Sequence, residues 1–314
     1  MSERRLRTVT RTQGNNQALK DGSVVPNGFS FAFEEVPVLV DAFRRMVRGM
    51  EFDVCEMALT TYICARAHGK RFTALPVFLV RAFHHGAILV NTRSGIRTPK
   101  DLEGRRVGVN RGYTVTTGLW ARSVLQDEYQ VDLSKITWVL SGDEHVAEYR
   151  PPSNVVPIEP GRTMAEMLAS GELAAAIGVE SEHADVAPLI ANAQDAGLAA
   201  LRARGHYPIN HLVVVRDELL QAEPALAGAV FDSFVRSKRI YLERLKAGTL
   251  EKPSAVDALH QRVMAITGDP LPYGIAPNRA VLDDIVGHCL RQGIIQTPVR
   301  VEDLFAPATH GLSG

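Results

Sequence analysis

Two adjacent histidines, His84 and His85, interrupt a stretch that is otherwise apolar. The runs on either side, residues 74–80 and 87–90, are rich in β-branched and aliphatic side chains and predict two strands with buried faces. Neighbouring side chains of a strand point to opposite faces, so a straight strand would place His85 and Arg81 together and His84 on the other face. We therefore expect His85 and Arg81 to act on one ligand, while His84 packs or is exposed.

Histidine can both donate and accept a proton near neutral pH, because its unperturbed pKa is about 6.5. Carboxylates can share this work, and arginine can hold a carboxylate through paired hydrogen bonds. The candidates in predicted loops and at strand ends are His85, His145, His206, His211, Glu56, Glu144, Glu148, Arg81, Arg150 and Asn210. Plainer interpretations stay open for several of them, such as a core histidine, a local ion pair between Glu148 and Arg150, or a bridge made by Asn210.

Two threonine pairs stand near predicted helix starts, Thr60 with Thr61 and Thr116 with Thr117. Backbone N–H groups and the positive end of the helix dipole favour an anion at such a position. Thr60 or Thr61 is expected to cap the first of these helices. Both starts are therefore candidate anion-binding positions.

The charges of the chain balance, with 35 basic and 35 acidic residues among 314. No net field attracts nucleic acid or an anionic membrane, so any anion must be recognised locally. There is no secretory signal pattern and no run of about 18 apolar residues, and the three cysteines form no metal-spaced pair. We expect a cytoplasmic protein that binds neither nucleic acid nor a membrane.

The sequence predicts no cofactor, because it has no phosphate-binding loop with lysine, no dinucleotide-binding glycine pattern and no redox cysteine pair. A divalent metal is the alternative that stays open. His84 or His85, together with His145 and Glu148, could supply nitrogen and oxygen ligands, although no helix carries two histidines at ligand spacing.

The order of predicted elements indicates an α/β protein. A β-α-β-α-β run over residues 6–68 implies a mostly parallel sheet with helices on both faces, and residues 99–179 form a second α/β unit. From residue 218 the chain is helical, and the apolar stripes of these helices are typical of a core or of an interface in a homo-oligomer.

The economical arrangement of these elements has two lobes. We expect lobe 1 to contain residues 1–91 and 206–314, and lobe 2 to be inserted between them as residues 92–205. Two chain crossings would form a hinge, which makes the cleft between the lobes the expected active site.

Several motifs carry a resemblance to known proteins. Residues 98–109 (TPKDLEGRRVGV), the threonine-rich helix start after them and residues 211–218 resemble the type II periplasmic-binding-protein-like fold, with two lobes of mixed, mostly parallel sheet. A narrower combination resembles the 4,5-dihydroxyphthalate decarboxylase family, from about residue 6 to residue 312. It consists of FDVCEM at 52–57, FHHG at 83–86, EHVAEYRPP at 144–152, GHYPINH at 205–211 and PYG at 272–274. The family more often has arginine where this chain has His84.

This resemblance implies a cofactor-independent decarboxylase that converts 4,5-dihydroxyphthalate into 3,4-dihydroxybenzoate and carbon dioxide. His85 would lead proton transfer, with His145, Glu148 and His211, while Arg81 and Arg150 would hold carboxylates. The remaining substrate contacts would come from Glu56, Thr60, Thr116, His84, His206 and Asn210. Two alternatives stay open, a solute-binding protein for an aromatic carboxylate and a decarboxylase of a related phthalate-type acid.

Overall fold

The structure, a computed structural model, describes residues 4–314. Its strands are β1 (Arg4–Val9), β2 (Phe29–Phe33), β3 (Val54–Ala58), β4 (Phe72–Arg81), β5 (Ile88–Asn91), β6 (Arg106–Val109), β7 (Thr137–Leu140), β8 (Val155–Pro157), β9 (Ala175–Ile177), β10 (Val186–Pro188) and β11 (Ile209–Arg216). Its α-helices are α1 (Gln17–Lys20), α2 (Leu39–Gly49), α3 (Leu59–Ala67), α4 (Thr116–Tyr129), α5 (Met164–Ser170), α6 (Ala193–Arg204), α7 (Asp217–Ala222), α8 (Ala225–Ala247), α9 (Ala255–Thr267) and α10 (Arg279–Arg291).

The chain divides into two compact units. The first contains the described residues up to Arg81, together with Ile209–Asp283 and Val299–Gly314. The second contains Ala82–Pro208 and Asp284–Pro298.

The first unit is built on a five-stranded sheet in the order β2-β1-β3-β11-β4. Strands β1, β2 and β3 are parallel, and β11 runs antiparallel to both β3 and β4. All five residues of β3 are buried, as expected for a central strand covered on both faces. The carboxyl ends of β1 and β3 therefore share one edge of the sheet with the start of β11.

Helix α2 packs on this sheet through an apolar stripe. Its buried residues are Ala42, Phe43, Met46 and Val47, which recur at the three-and-four spacing of one helix face. The residue after the helix, Met50, adopts the left-handed conformation with φ of 52°. Glycine or asparagine is more usual at such a position.

The second unit is built on a six-stranded sheet in the order β10-β5-β9-β6-β7-β8. Strands β6, β7, β8 and β9 are parallel, while β5 is antiparallel to both β9 and β10. The sequence-based boundaries placed β5 in lobe 1 and the segment Asp284–Pro298 in lobe 1 as well. The structure places both in the second unit. Strand β5 hydrogen-bonds to β9, and Gln292 of the segment accepts a hydrogen bond from Arg122 of α4.

The stretch that contains the two histidines is not a straight strand. Strand β4 ends at Arg81, and a short 3₁₀ helix, His85–Ala87, precedes β5. The backbone N–H of Ala87 donates to the carbonyl of His84, which turns the chain. The expectation that Arg81 and His85 share a strand face is therefore wrong, and the two residues belong to different units.

Helix α3 begins at Leu59, with Ala58 at the cap position. Thr60 and Thr61 are buried in its first turn and do not occupy the cap position, so the expected capping role is wrong. Within the described part of the chain, no helix has the length and apolar character needed to cross a membrane.

Candidate functional site

A buried carboxylate and a half-buried imidazole form a pair in the first unit. Glu56 lies in β3 with 0% of its surface exposed, and its Oε1 is 2.7 Å from Nδ1 of His211. The two residues are on neighbouring strands, His211 opposite Ala58 and Glu56 opposite Val213. We call them the Glu56–His211 pair.

The rest of the Glu56 carboxylate is also hydrogen-bonded, which a buried charge requires. Its Oε2 accepts from the backbone N–H of Arg11 at 2.9 Å, and the Gln13 amide lies 3.4 Å from both oxygens. Both partners come from the loop after β1. This loop, the ends of β1 and β3 and the start of β11 lie at the edge where α/β sheets commonly bind ligands.

The imidazole of His211 is fixed on two sides. Its Nδ1 faces Glu56, and its ring packs edge-on against Phe43 with centroids 5.2 Å apart. Its side chain keeps 17% exposure, whereas that of Glu56 has none. Since Nδ1 is committed to the carboxylate, Nε2 is the nitrogen available for proton exchange with a ligand.

Arg81 is buried in the first unit, at 6% exposure. Its guanidinium donates to the side-chain oxygen of Asn278 and, at 3.3 Å, to the carbonyl of Pro272. The PYG motif at residues 272–274 thus positions an arginine, a link that the sequence alone did not reveal. Thr60 and Asn210, two further predicted contacts, are also buried in this unit.

In the second unit, a cavity of about 360 Å³ opens at the start of α4. We call it the α4 pocket, and its lining includes Val109, Asn110, Arg111, Thr117, Gly118 and Gly178. These residues follow β6, begin α4 and follow β9, again at the carboxyl edge of parallel strands. Thr116, predicted from the sequence as an anion contact, is the first residue of α4.

Glu144, a carboxylate candidate in the sequence, organises the loop before α4. Its side chain accepts hydrogen bonds from the backbone N–H groups of Tyr113 and Thr114 and from the Thr114 hydroxyl, at 2.5 to 3.2 Å. Gly112 leaves room for it, since a Cβ there would lie 2.6 Å from the carboxylate. This geometry shows that Glu144 fixes the loop that leads into α4.

We expect Glu144→Ala to destabilise the protein by about 1–3 kcal/mol, because it leaves buried donors without this acceptor. Urea unfolding measures the effect, and Asp143→Ala, which removes an exposed carboxylate from the same loop, is the control. An unchanged free energy of unfolding in Glu144→Ala would contradict the role of this side chain.

The other candidates in this loop have different environments. His145 is buried, whereas Glu148 and Arg150 are exposed. Arg150 donates to the carbonyls of Ala147 and Tyr149 in its own loop, at 2.8 and 2.9 Å. The structure does not gather these three residues around one of the cavities described in this unit.

A second cavity of the same unit, about 200 Å³, collects four histidines. We call it the histidine cavity, and the histidines that line it are His84, His85, His206 and His288. Three of them were site candidates from the sequence. His288 was not, although Asp284 and His288 stand four residues apart on α10 and both line the cavity, a spacing that could have signalled it.

His85 contacts a carboxylate in this cavity. Its Nε2 is 2.9 Å from Glu128, and Glu128 is also 2.6 Å from Arg204. Burial acts to raise the pKa of Glu128, but the contacts with His85 and Arg204 outweigh it, so the pKa is lowered. Glu128 lies 12 residues beyond Thr116, about 18 Å along the axis of α4. His85 thus contacts the end of α4 opposite to the α4 pocket.

Two other histidines of the cavity are held neutral. Burial, with the charge of Arg204, lowers the pKa of His206 to about 4. Burial, with the charge of Arg291, also lowers the pKa of His288 to about 4, although Asp127 opposes this shift from 3.0 Å. Within residues 4–314, no three His, Cys, Asp or Glu side chains are placed to hold a metal ion.

The fold belongs to the periplasmic-binding-protein-like class. It resembles the alkanesulfonate-binding protein SsuA of Xanthomonas axonopodis pv. citri, with a TM-score of 0.54, 16% identity and 97% of each chain covered. It also resembles the desulfurization enzyme DSZB, with a TM-score of 0.54, 15% identity and 96% of each chain covered. These similarities concern the fold and confirm the expected fold class.

The chain belongs to the 4,5-dihydroxyphthalate decarboxylase family. It is 31% identical to the 4,5-dihydroxyphthalate decarboxylase of Comamonas testosteroni over 98% of both chains. It is also 36% identical to the enzyme of that name from Pseudomonas putida over 146 residues, which cover 44% of this chain and 56% of the relative. No family model matches the chain. The family expected from the motifs is confirmed.

Proposed function

We propose that this protein decarboxylates 4,5-dihydroxyphthalate to 3,4-dihydroxybenzoate and carbon dioxide, without a cofactor, and that the Glu56–His211 pair transfers the proton. One observation carries the reaction: the match to a decarboxylase of this name extends over 98% of both chains. Both units are therefore included in the similarity, and not only a shared fold segment.

The reaction sets a clear demand on the protein. The bond between a ring carbon and its carboxylate breaks, and a bond between that carbon and a proton forms. Release of carbon dioxide before protonation would leave an aryl carbanion, so a general acid must reach the ring carbon first. The hydroxyl para to this carbon donates electron density, which favours protonation there.

The Glu56–His211 pair supports this assignment by its geometry. A carboxylate on Nδ1 orients the ring and stabilises the imidazolium form, as in catalytic triads. The imidazolium ring of His211 can then donate its Nε2 proton to the carbon of the substrate ring. His211 recovers a proton from solvent after carbon dioxide leaves. His211 retains the partial exposure that this exchange needs.

Arg81 is a buried cation of the same unit. Asn278 and the Pro272 carbonyl fix its guanidinium. A carboxylate that binds Arg81 therefore costs less side-chain entropy than it would with a mobile arginine. We assign Arg81 to substrate binding. The roles predicted for His85, His145, Glu148 and Arg150 stay predictions.

Incubation of the purified protein with 4,5-dihydroxyphthalate, with and without a chelator, tests the proposal. We expect 3,4-dihydroxybenzoate and carbon dioxide in equal amounts under both conditions. In deuterium oxide the product should carry one deuterium on the ring carbon that lost its carboxylate, because the proton comes from an exchangeable acid. Tight binding without any product would overturn the proposal and favour a solute-binding protein.

A further inference from the structure

Arg122 is a fully buried arginine whose resolved hydrogen bonds go only to neutral groups. It lies on α4 with 0% of its surface exposed. Its Nε donates to the side-chain oxygen of Gln292 at 2.8 Å, and its Nη2 donates to the carbonyl of Tyr113 at 2.8 Å. Its guanidinium also packs over the Tyr113 ring, 3.8 Å from the centroid. A buried charge is normally paired with an opposite charge.

The remaining nitrogen of Arg122 is directed toward the first turn of α4. Among residues 4–314, Nη1 has no hydrogen-bond partner. It would lie 3.0 Å from a Cβ built on Gly118, and Gly118 is one of the residues that line the α4 pocket. The unpartnered donor is therefore directly behind the lining of that pocket.

Gln292 holds the guanidinium in this position. Its amide nitrogen donates to the carbonyl of Leu119 and to the hydroxyl of Ser123, at 3.3 and 3.2 Å, so its oxygen faces Arg122. Gln292 is itself buried, at 4% exposure. The second unit therefore uses a neutral amide at a place where a glutamate, with the same shape, would neutralise the arginine.

The acidic groups around the pocket do not neutralise the charge of Arg122. Glu144 attracts Arg122 electrostatically, but its oxygens accept hydrogen bonds from the loop before α4. Glu180 and Arg111 both line the pocket with exposed side chains of opposite charge. Burial lowers the pKa of Arg122. Arginine nevertheless stays protonated in proteins.

Helix α4 adds to the positive potential of the pocket. It has 14 residues, and its first turn lines the pocket. The N–H groups of a first helical turn have no acceptor within the helix, and they carry the positive end of the helix dipole. Arg122 and the start of α4 thus both make the potential in the α4 pocket more positive.

We propose that the α4 pocket binds a carboxylate of the aromatic dicarboxylate substrate, and that Arg122 is the positioning residue whose buried charge selects an anion there. The inference rests on the proposed function for the identity of the substrate. The carboxylate accepts from the first turn of α4, and Arg122 stabilises it from behind Gly118. Arg122 therefore sets affinity for the anion without taking part in proton transfer.

The test uses phthalate, which has both carboxylates but lacks the hydroxyls of the substrate, and measures its binding by calorimetry. We expect Arg122→Met to raise the Kd for phthalate by about 10- to 30-fold, the effect of one charge about 8–12 Å away at an effective dielectric constant of about 20. Arg122→Lys, which retains the charge, should recover most of this loss. Arg97→Met removes an exposed arginine of the same unit and should leave the Kd unchanged.

Gln292→Glu is the sharper variant, because it keeps the arginine and neutralises it. The new carboxylate would replace the amide oxygen that lies 2.8 Å from Nε. We expect the Kd for phthalate to rise about tenfold or more while the melting temperature stays the same or increases. A purely structural arginine would predict a more stable protein with unchanged phthalate binding, and that result would overturn the proposal.

The same measurements separate this inference from the proposed reaction. If phthalate binding depends on Arg122 and Gln292 but 4,5-dihydroxyphthalate is not decarboxylated, the anion site stands and the proposed function fails. If the substrate is decarboxylated and the Kd for phthalate is the same in Gln292→Glu and in the parent, the reaction stands and the anion site is rejected. Failure of Arg122→Met to fold would leave Gln292→Glu as the deciding variant.

Discussion

Replacement of His211 by asparagine is expected to lower kcat for 4,5-dihydroxyphthalate by about 10²- to 10⁴-fold, the usual contribution of a proton-transfer residue. The asparagine amide can occupy the position of Nδ1 and keep the hydrogen bond to Glu56. It has no atom at the position of Nε2. The substitution therefore removes the proton donor and preserves the contact that holds it.

Glu56→Gln tests the other half of the pair. Without the negative charge, the imidazolium form of His211 is less stable. An amide N–H facing Nδ1 also keeps that nitrogen unprotonated, so the ring stays a neutral, weaker acid. We expect kcat to fall by about 10²-fold or more. His211→Gln, which places an amide near Nε2 but loses the bond to Glu56, should be no more active than His211→Asn.

The controls for this prediction are also histidine variants. His183→Asn removes an exposed histidine and should leave kcat within about twofold of the parent. His85→Asn addresses the residue that the sequence favoured. If kcat fell by about 10²- to 10⁴-fold in His85→Asn and not in His211→Asn, the proton-transfer role would belong to His85.

Acidification should destabilise the protein between pH 6.5 and pH 5. His206, His260 and His288 each have a pKa lowered to about 4, with burial as the largest cause. His206 and His288 belong to the second unit, and His260 belongs to the first, where it is 2.7 Å from the Tyr241 hydroxyl.

The sign follows from proton counting. Above pH 6.5 these histidines are neutral in both the folded and the unfolded chain, so they have no effect on stability. Between pH 6.5 and pH 4 the unfolded chain binds a proton at each residue and the folded chain does not, so stability falls as the pH falls. Each residue contributes about 1.4 kcal/mol per pH unit, or about 2 kcal/mol between pH 6.5 and pH 5.

Urea unfolding at half-unit steps from pH 7.5 to pH 5 measures this slope. The window ends at pH 5 because most carboxylates begin to titrate below it. His206→Gln and His260→Gln should each reduce the slope by about one proton, whereas the exposed His183→Gln should not change it. A free energy of unfolding that stays constant from pH 6.5 to pH 5 would contradict the neutral, buried state of these histidines.

Local sequence chemistry determined many elements of the fold. The apolar residues of α2 recur at the spacing of one helix face, and Thr98 and Asp101 reciprocally cap the short 3₁₀ helix at Pro99–Leu102. Such features depend on residues within about one turn of one another, so a single sequence contains the information for them.

The nearby stretch with the two histidines shows where this reasoning stops. Alternation predicts which side chains share a face only while the backbone stays extended. The turn between β4 and β5 breaks the alternation, and it assigns Arg81 to one unit and His85 to the other. The apolar runs on both sides of the turn favour a continued strand, and Gly86 is the only residue within His85–Ala87 that signals a break.

By itself the sequence determined the family, the fold class and the residue types available for the chemistry. Only the tertiary structure decided which of them meet: Glu56 with His211, 155 residues apart, and Arg122 with Gln292, 170 residues apart. The first contact depends on the pairing of β3 with β11, and the second on the segment Asp284–Pro298 joining the second unit. Burial and charge at these contacts arise from long-range packing, which side-chain periodicity does not encode.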